Sequence, residues 1–183
     1  AIRFKNPTKQ TQQFSFSVNR MTAGTPQTAV IRFRIKKSFI TRPKNTSEFT
    51  SGGKLPSEVK QFLKPSPYIE SNSKEIRKIA STLEDETLDA WSQVEKNYTW
   101  VRDNIEYKFD KQIHSCLRAL EVKQGDCEEL SSLFIAICRA QGIPARAVWI
   151  PGHTYPEFYL TDADKNGTWF PCQAAGTYAF GEM

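Results

Sequence analysis

Little in this chain of 183 residues points to a membrane, a disulfide framework or a zinc knuckle. No apolar run approaches the length that crosses a bilayer, so no transmembrane segment is expected. Four cysteines, Cys116, Cys127, Cys138 and Cys172, form no CxxC pair and are too sparse for a disulfide scaffold. They leave the compartment open between export or a bacterial cell envelope and the cytoplasm. There are two histidines, His114 and His153. His114-x-Cys116 has the spacing of no common zinc site, and no metal is expected. No internal repeat or low-complexity tract interrupts the chain. It starts at Ala1 without an initiator Met or a charged-then-apolar leader, the start expected of a mature or trimmed chain. Its length suits one domain with a sizeable core plus a small extension.

Acidic residues are scarce in the first third. Residues 1–64 hold thirteen Lys and Arg against two Asp and Glu, a net +11, while residues 65–183 carry a net −6. This divides the chain into a basic extension and linker, 1–64, and a core, 65–183. A basic segment of this kind could meet an anionic polymer, but no nucleic-acid module accompanies the charge, and no nucleic acid is expected. A solvated face accounts for it more simply.

Within the extension, Phe14, Phe16 and Val18 alternate with serines, and Ile31, Phe33 and Ile35 alternate with Arg and Lys. That is the pattern of two half-buried strands, joined through residues 19–28 as a β-hairpin. A polar stretch from Thr41 to Gly53 follows, then Pro-punctuated sequence with a short ordered piece around Val59 to Leu63. Two helices come next. Ser73 can cap the first, and Thr87 can cap a longer one on which Leu88, Trp91, Val94, Tyr98, Val101 and Ile105 share a stripe. Residues 108–124 show no clear period.

The most informative stretch runs from Gly125 to Gln141. Leu130, Leu133, Phe134 and Ile137 recur at helical spacing, Asp126 is a suitable N-cap, and Gly142 and Pro144 end the helix. Cys127 therefore stands in a first helical turn, where unpaired N–H groups favour thiolate and lower the thiol pKa. Beyond it, residues 145–150, 157–160 and 168–173 read as strands, the last two joined through Asn166-Gly167. Asp162-x-Asp164-x-Asn166-Gly167 also opens like an EF-hand loop, but Gln173 stands where a bidentate Glu is required, so a hairpin tip is the better reading. His153 lies at the start of one of these strands. A helix-borne Cys and a strand-borne His are the thiol and imidazole that covalent acyl transfer needs. The Cys127 N–H could donate to the oxyanion.

Several ordered motifs carry a family likeness. Gly125-Asp126-Cys127-Glu128-Glu129-Leu130, then Arg139 to Arg146, then His153-x-x-x-Glu157-Phe158-Tyr159, preceded by the helix ending Trp100 to Tyr107, resemble the transglutaminase-like family of papain-type thiol enzymes. The likeness covers roughly residues 73–176. It implies an α+β fold with a papain-like core, in which the cysteine helix packs on an antiparallel sheet. It further implies Cys127 as nucleophile, His153 as base, and Gln173 where the family usually has Asp. A side-chain amide can orient an imidazole as Asn does in papain-like enzymes. The activity implied is thiol-dependent acyl transfer or hydrolysis on peptide or protein amides, with no cofactor. A non-catalytic binding module on the same fold is the alternative, and a longer parent chain whose other domains choose the substrate is a further one.

Overall fold

The architecture is built outward from one buried helix. The computed structural model describes residues 2–8, 11–18, 20–32, 34 and 41–182. Helix α5, Cys127–Ala140, is buried at every position from Glu129 to Arg139, so it is covered nearly all the way round instead of along one face. Helices α2 (Lys74–Leu83), α3 (Ala90–Asn104) and α4 (Cys116–Val122) pack against it, as does a three-stranded antiparallel sheet. That sheet is ordered β5 (Ala145–Ile150), β6 (His153–Thr161), β7 (Gly167–Pro171). The result is the α+β arrangement expected from the motifs.

Both ends of α5 follow from local chemistry. Asp126 Oδ1 accepts from the Glu128 N–H at 3.0 Å, and Glu129 Oε2 accepts from the Asp126 N–H at 3.0 Å. This reciprocal box satisfies donors that a helix start leaves unpaired. At the other end Gly142 has φ +79°, which a glycine adopts without strain, and the Ile143 N–H returns to the Cys138 carbonyl at 2.9 Å. Arg139, in the last turn, is buried. Its Nε donates to the Ala145 carbonyl, and one terminal nitrogen reaches the Lys64 carbonyl and Ser66 Oγ. Burial pulls its pKa down to about 10, which still leaves it charged at neutral pH.

An aromatic cluster joins the layers. The Trp91 ring lies 5.5 Å from Phe158, 5.2 Å from Phe170 and 5.2 Å from Phe180, each edge-on. Phe158 also meets Phe134 of α5 at 6.5 Å. The expected α3 stripe is core from Trp91 to Ile105, but Leu88 is exposed. The helix is capped by Asp89, whose Oδ1 accepts from the Ser92 N–H, and not by Thr87. Thr87 is already held by Asp85, which accepts from both its N–H and its hydroxyl. That local turn competes with helix and delays its start.

The unreadable stretch 108–124 contains α4, capped by Ser115, and lies between two short strands, β3 (Glu106–Tyr107) and β4 (Gln124–Gly125), which pair in parallel. The hairpin tip at 162–167 has the form read from Asn166-Gly167. Asp162 accepts from the Asn166 backbone and side-chain nitrogens, and β6 and β7 pair directly on either side.

By contact pattern the chain divides into units 1–38 and 39–183. The smaller unit holds an antiparallel hairpin, but of β1 (Ile2–Thr8) with β2 (Thr11–Phe16). The expected hairpin joined residues 14–18 to 31–35. Phe14 and Phe16 belong to β2, whereas Val18 and Ile31 lie outside strands, and Phe33 and Ile35 fall outside the described residues. Pairing with the segment immediately before β2 closes a shorter loop and loses less entropy. In the larger unit, residues 41–64 do not behave as a free linker. Thr50 bridges Thr161, the Phe49 ring lies 5.1 Å from Phe170, and Val59 is buried in the short helix α1 (Ser57–Lys60). The change of charge near residue 64 therefore does not coincide with the break in contacts.

Phe158 touches every layer through ring contacts. Phe158→Ala is expected to lower unfolding stability by about 3–5 kcal/mol, the range for removing a fully buried aromatic side chain. Urea denaturation followed by circular dichroism checks it. A loss under about 1 kcal/mol would show that the cluster does not hold the layers together.

Candidate active site

Packing of α5 on β6 brings the first residue of the helix beside the first residues of the strand. Gly125 permits the approach to that helix, because a Cβ there would sit 2.6 Å from Glu129 Cβ. Cys127 is half-buried, while Cys116, Cys138 and Cys172 are fully buried. His153, also half-buried, places Nε2 2.7 Å from Gln173 Oε1. Gln173 faces the imidazole, and its neighbour Cys172 is buried in the core. Gln173 engages Nε2, so an Nε2–H donating to the amide oxygen leaves Nδ1 as the basic atom.

Two cavities flank this pair, of about 420 Å³ and 430 Å³, and both are walled by Tyr107, Cys127 and His153. The first continues past Phe109, Asp110, Glu128 and Trp149, the second past Ala175, Gly176 and Thr177. Cys127 and His153 thus stand on the divide of one two-sided cleft.

The thiol's own surroundings correct the sequence reading. Cys127 Sγ donates to Glu128 Oε2 at 2.9 Å, and no bond to His153 is made. Burial pushes the thiol up to about 11, Glu128 adds to the shift, and the backbone N–H of Thr154 opposes it. The helix terminus was expected to lower this pKa. Burial disfavours the charged thiolate, and a carboxylate that accepts the S–H hydrogen bond stabilises the neutral thiol and repels the thiolate. Tyr107 senses the same environment: burial, then the charges of Cys127, Asp126 and Glu128, raise its phenol.

The other candidates have separate partners. His114 Nε2 lies 3.1 Å from Asp110 Oδ2, and the Cys116 thiol donates to Glu70 at 3.0 Å, so the two residues do not converge on a metal. Ligand atoms of Asp126, Cys127 and Glu128 lie within 4.8 Å of one another. The Asp126 oxygens already accept backbone N–H groups of Glu128 and Asp110, which weakens it as a ligand. Glu128 and Tyr107 were missed as site residues. Glu128 reads from sequence as a helix-dipole partner, and Tyr107 as the tail of α3. Their pairing with Cys127 is a matter of rotamer and tertiary approach.

The sequence profile of the transglutaminase-like superfamily matches residues 76–174, more than half of the chain. The chain belongs to the transglutaminase-like superfamily. Among solved structures, a candidate cysteine protease from Cytophaga hutchinsonii is similar at a TM-score of 0.57 and 24% identity. The match covers 70% of this chain and 46% of that one, so this chain spans under half the length of its structural relative. That likeness bears on the fold. No curated protein sequence matches the chain.

Accessibility and pKa both single out Cys127 among the four thiols. Burial pushes Cys138 up to about 12 and raises Cys116 and Cys172 well above the ordinary thiol value. In folded protein, iodoacetamide is expected to modify Cys127 first, with a rate that climbs through pH 8–10; peptide mapping reads it, and equal rates at all four thiols would contradict it.

Glu128→Gln removes the carboxylate that raises the Cys127 thiol, so more thiolate forms at a given pH. The Cys127 alkylation rate at pH 8 is expected to rise roughly three- to tenfold, as a fall of up to one pKa unit implies. An unchanged pH profile would mean that Glu128 does not control the thiol.

Proposed function

We propose that this chain is a cysteine-dependent acyl transferase or hydrolase of peptide or protein amides, with Cys127 as nucleophile, His153 as base and Gln173 as the group that orients it. One observation carries the reading: an imidazole tethered through Nε2 to a buried amide shares a cleft with the most accessible thiol of the chain.

In the proposed cycle the Glu128 side chain releases Sγ, and His153 Nδ1 takes the thiol proton. The thiolate attacks the amide carbon and the C=O bond becomes an oxyanion, with the Cys127 N–H at the start of α5 as a donor. The imidazolium returns its proton to the leaving nitrogen as the C–N bond breaks, leaving a thioester. Water or an amine then gives its proton to Nδ1, attacks the thioester and frees Cys127. Gln173 fixes the tautomer throughout. Being neutral, it lends the imidazolium less support than an Asp would, so the ion pair depends more on exclusion of water.

The test is a set of variants assayed with an electrophilic activity probe and a panel of peptide amides. Cys127→Ala is expected to abolish both labelling and turnover, and His153→Ala to slow labelling near neutral pH while His114→Ala does not. Gln173→Ala should reduce turnover roughly ten- to hundredfold, as for loss of an orienting group. Gln173→Asp should widen the pH range of activity by favouring imidazolium. If His153→Ala and His114→Ala behave alike, the cleft is a binding site without catalysis.

A further inference from the structure

The two halves of the cleft differ in chemistry, and the difference points to a substrate. Beyond the shared residues, one half is lined by Ala175, Gly176 and Thr177, which are small and uncharged. The other adds two large rings at the surface, Trp149 at 58% exposed and Phe109 at 69%, to the shared Tyr107 at 55%. Beside them stand the carboxylates of Asp110, Asp126 and Glu128 against one cation, Lys111. Asp126 is committed to capping α5. Glu128 uses Oε2, on the thiol, and Oε1 has no hydrogen-bond partner among the described residues. Asp110 is half-exposed and shares its charge with His114.

Exposed aromatic rings with carboxylates beside them can form a receptor for a cation on an apolar stem. The rings attract the cation through their quadrupoles and cover its methylenes, while the carboxylates complete the charge match. Resting on the amide-cleaving reading above, we propose that this half of the cleft binds an arginine or lysine side chain of the peptide substrate, next to the amide that is attacked. The bound cation also draws Glu128 toward itself and off the Cys127 thiol, which frees Sγ for His153. Substrate selection and release of the nucleophile are then one event, and a peptide with a neutral residue at that position meets a thiol still tied to Glu128.

Arginine is the informative probe, because its guanidinium does not take up an acyl group and so acts only through binding. Peptidyl vinyl sulfones are made in pairs that differ only in arginine against citrulline, its neutral isostere, with that residue on either side of the electrophile. Labelling of Cys127 is followed by intact mass. At one of the two positions arginine is expected to label about tenfold faster than citrulline, the scale of one partly desolvated cation–π and ion-pair contact. In Asp110→Asn and Glu128→Gln that ratio should fall toward one, whatever happens to the absolute rates. Ratios near one at both positions in the unsubstituted protein, with Cys127 labelled efficiently, would overturn the inference and leave the catalytic reading standing. Binding of the corresponding unreactive peptides to Cys127→Ala, by calorimetry, separates the remaining cases. A preference for arginine there without labelling of the unsubstituted protein would support the cationic site and remove the catalytic reading. No preference there would overturn the site.

Discussion

One buried carboxylate, that of Glu129, holds the candidate site together. It is 1% exposed, and burial together with Asp126 raises its pKa. Oε2 closes the capping box on the Asp126 N–H, and Oε1 accepts from the His114 N–H at 2.6 Å. The first bond fixes where α5 begins, and so where Cys127 stands. The second ties down the loop between β3 and α4, which carries Phe109 and Asp110 of one cleft wall. A buried acid used in this way must have both oxygens satisfied, and here each has a backbone donor.

Around that anchor the electrostatics of the thiol are arranged against ionisation at rest. A nucleophile at a helix N-terminus would ordinarily benefit from the dipole, yet the residues on either side of Cys127 are both acidic. Glu128 holds the thiol proton in place, and in the proposed cycle His153 removes it.

The parts legible in sequence were those set by local chemistry and by period. The apolar recurrence and the Asp126 and Gly142 boundaries located α5, and β-prone runs with Asn166-Gly167 located the sheet. Alternation along the last strand was enough to separate Gln173 from Cys172. What could not be read depended on tertiary competition. Thr87 has the side chain of a cap, but Asp85 already holds it. The seven residues of α4 are too few to show a helical period, and their helix is stabilised by packing on α5. Alternation at Phe14 and Phe16 announced a strand without naming its partner, and the nearer segment pairs with it. The upward shift of the Cys127 thiol follows first from its burial and then from the Glu128 rotamer, neither of which a spacing rule contains.

The placement of the indoles has an optical consequence. Trp91 is sealed among phenylalanine rings at 1% exposure, whereas Trp149 stands on the cleft wall at 58%. Emission from an indole shifts to longer wavelength and becomes open to collisional quenchers as water reaches it. The two residues therefore report on different things within one spectrum, Trp91 on the integrity of the interior and Trp149 on whatever occupies the cleft. Acrylamide would reach Trp149 first, and a molecule lying across the rings would shield it while leaving the signal of Trp91 unaltered.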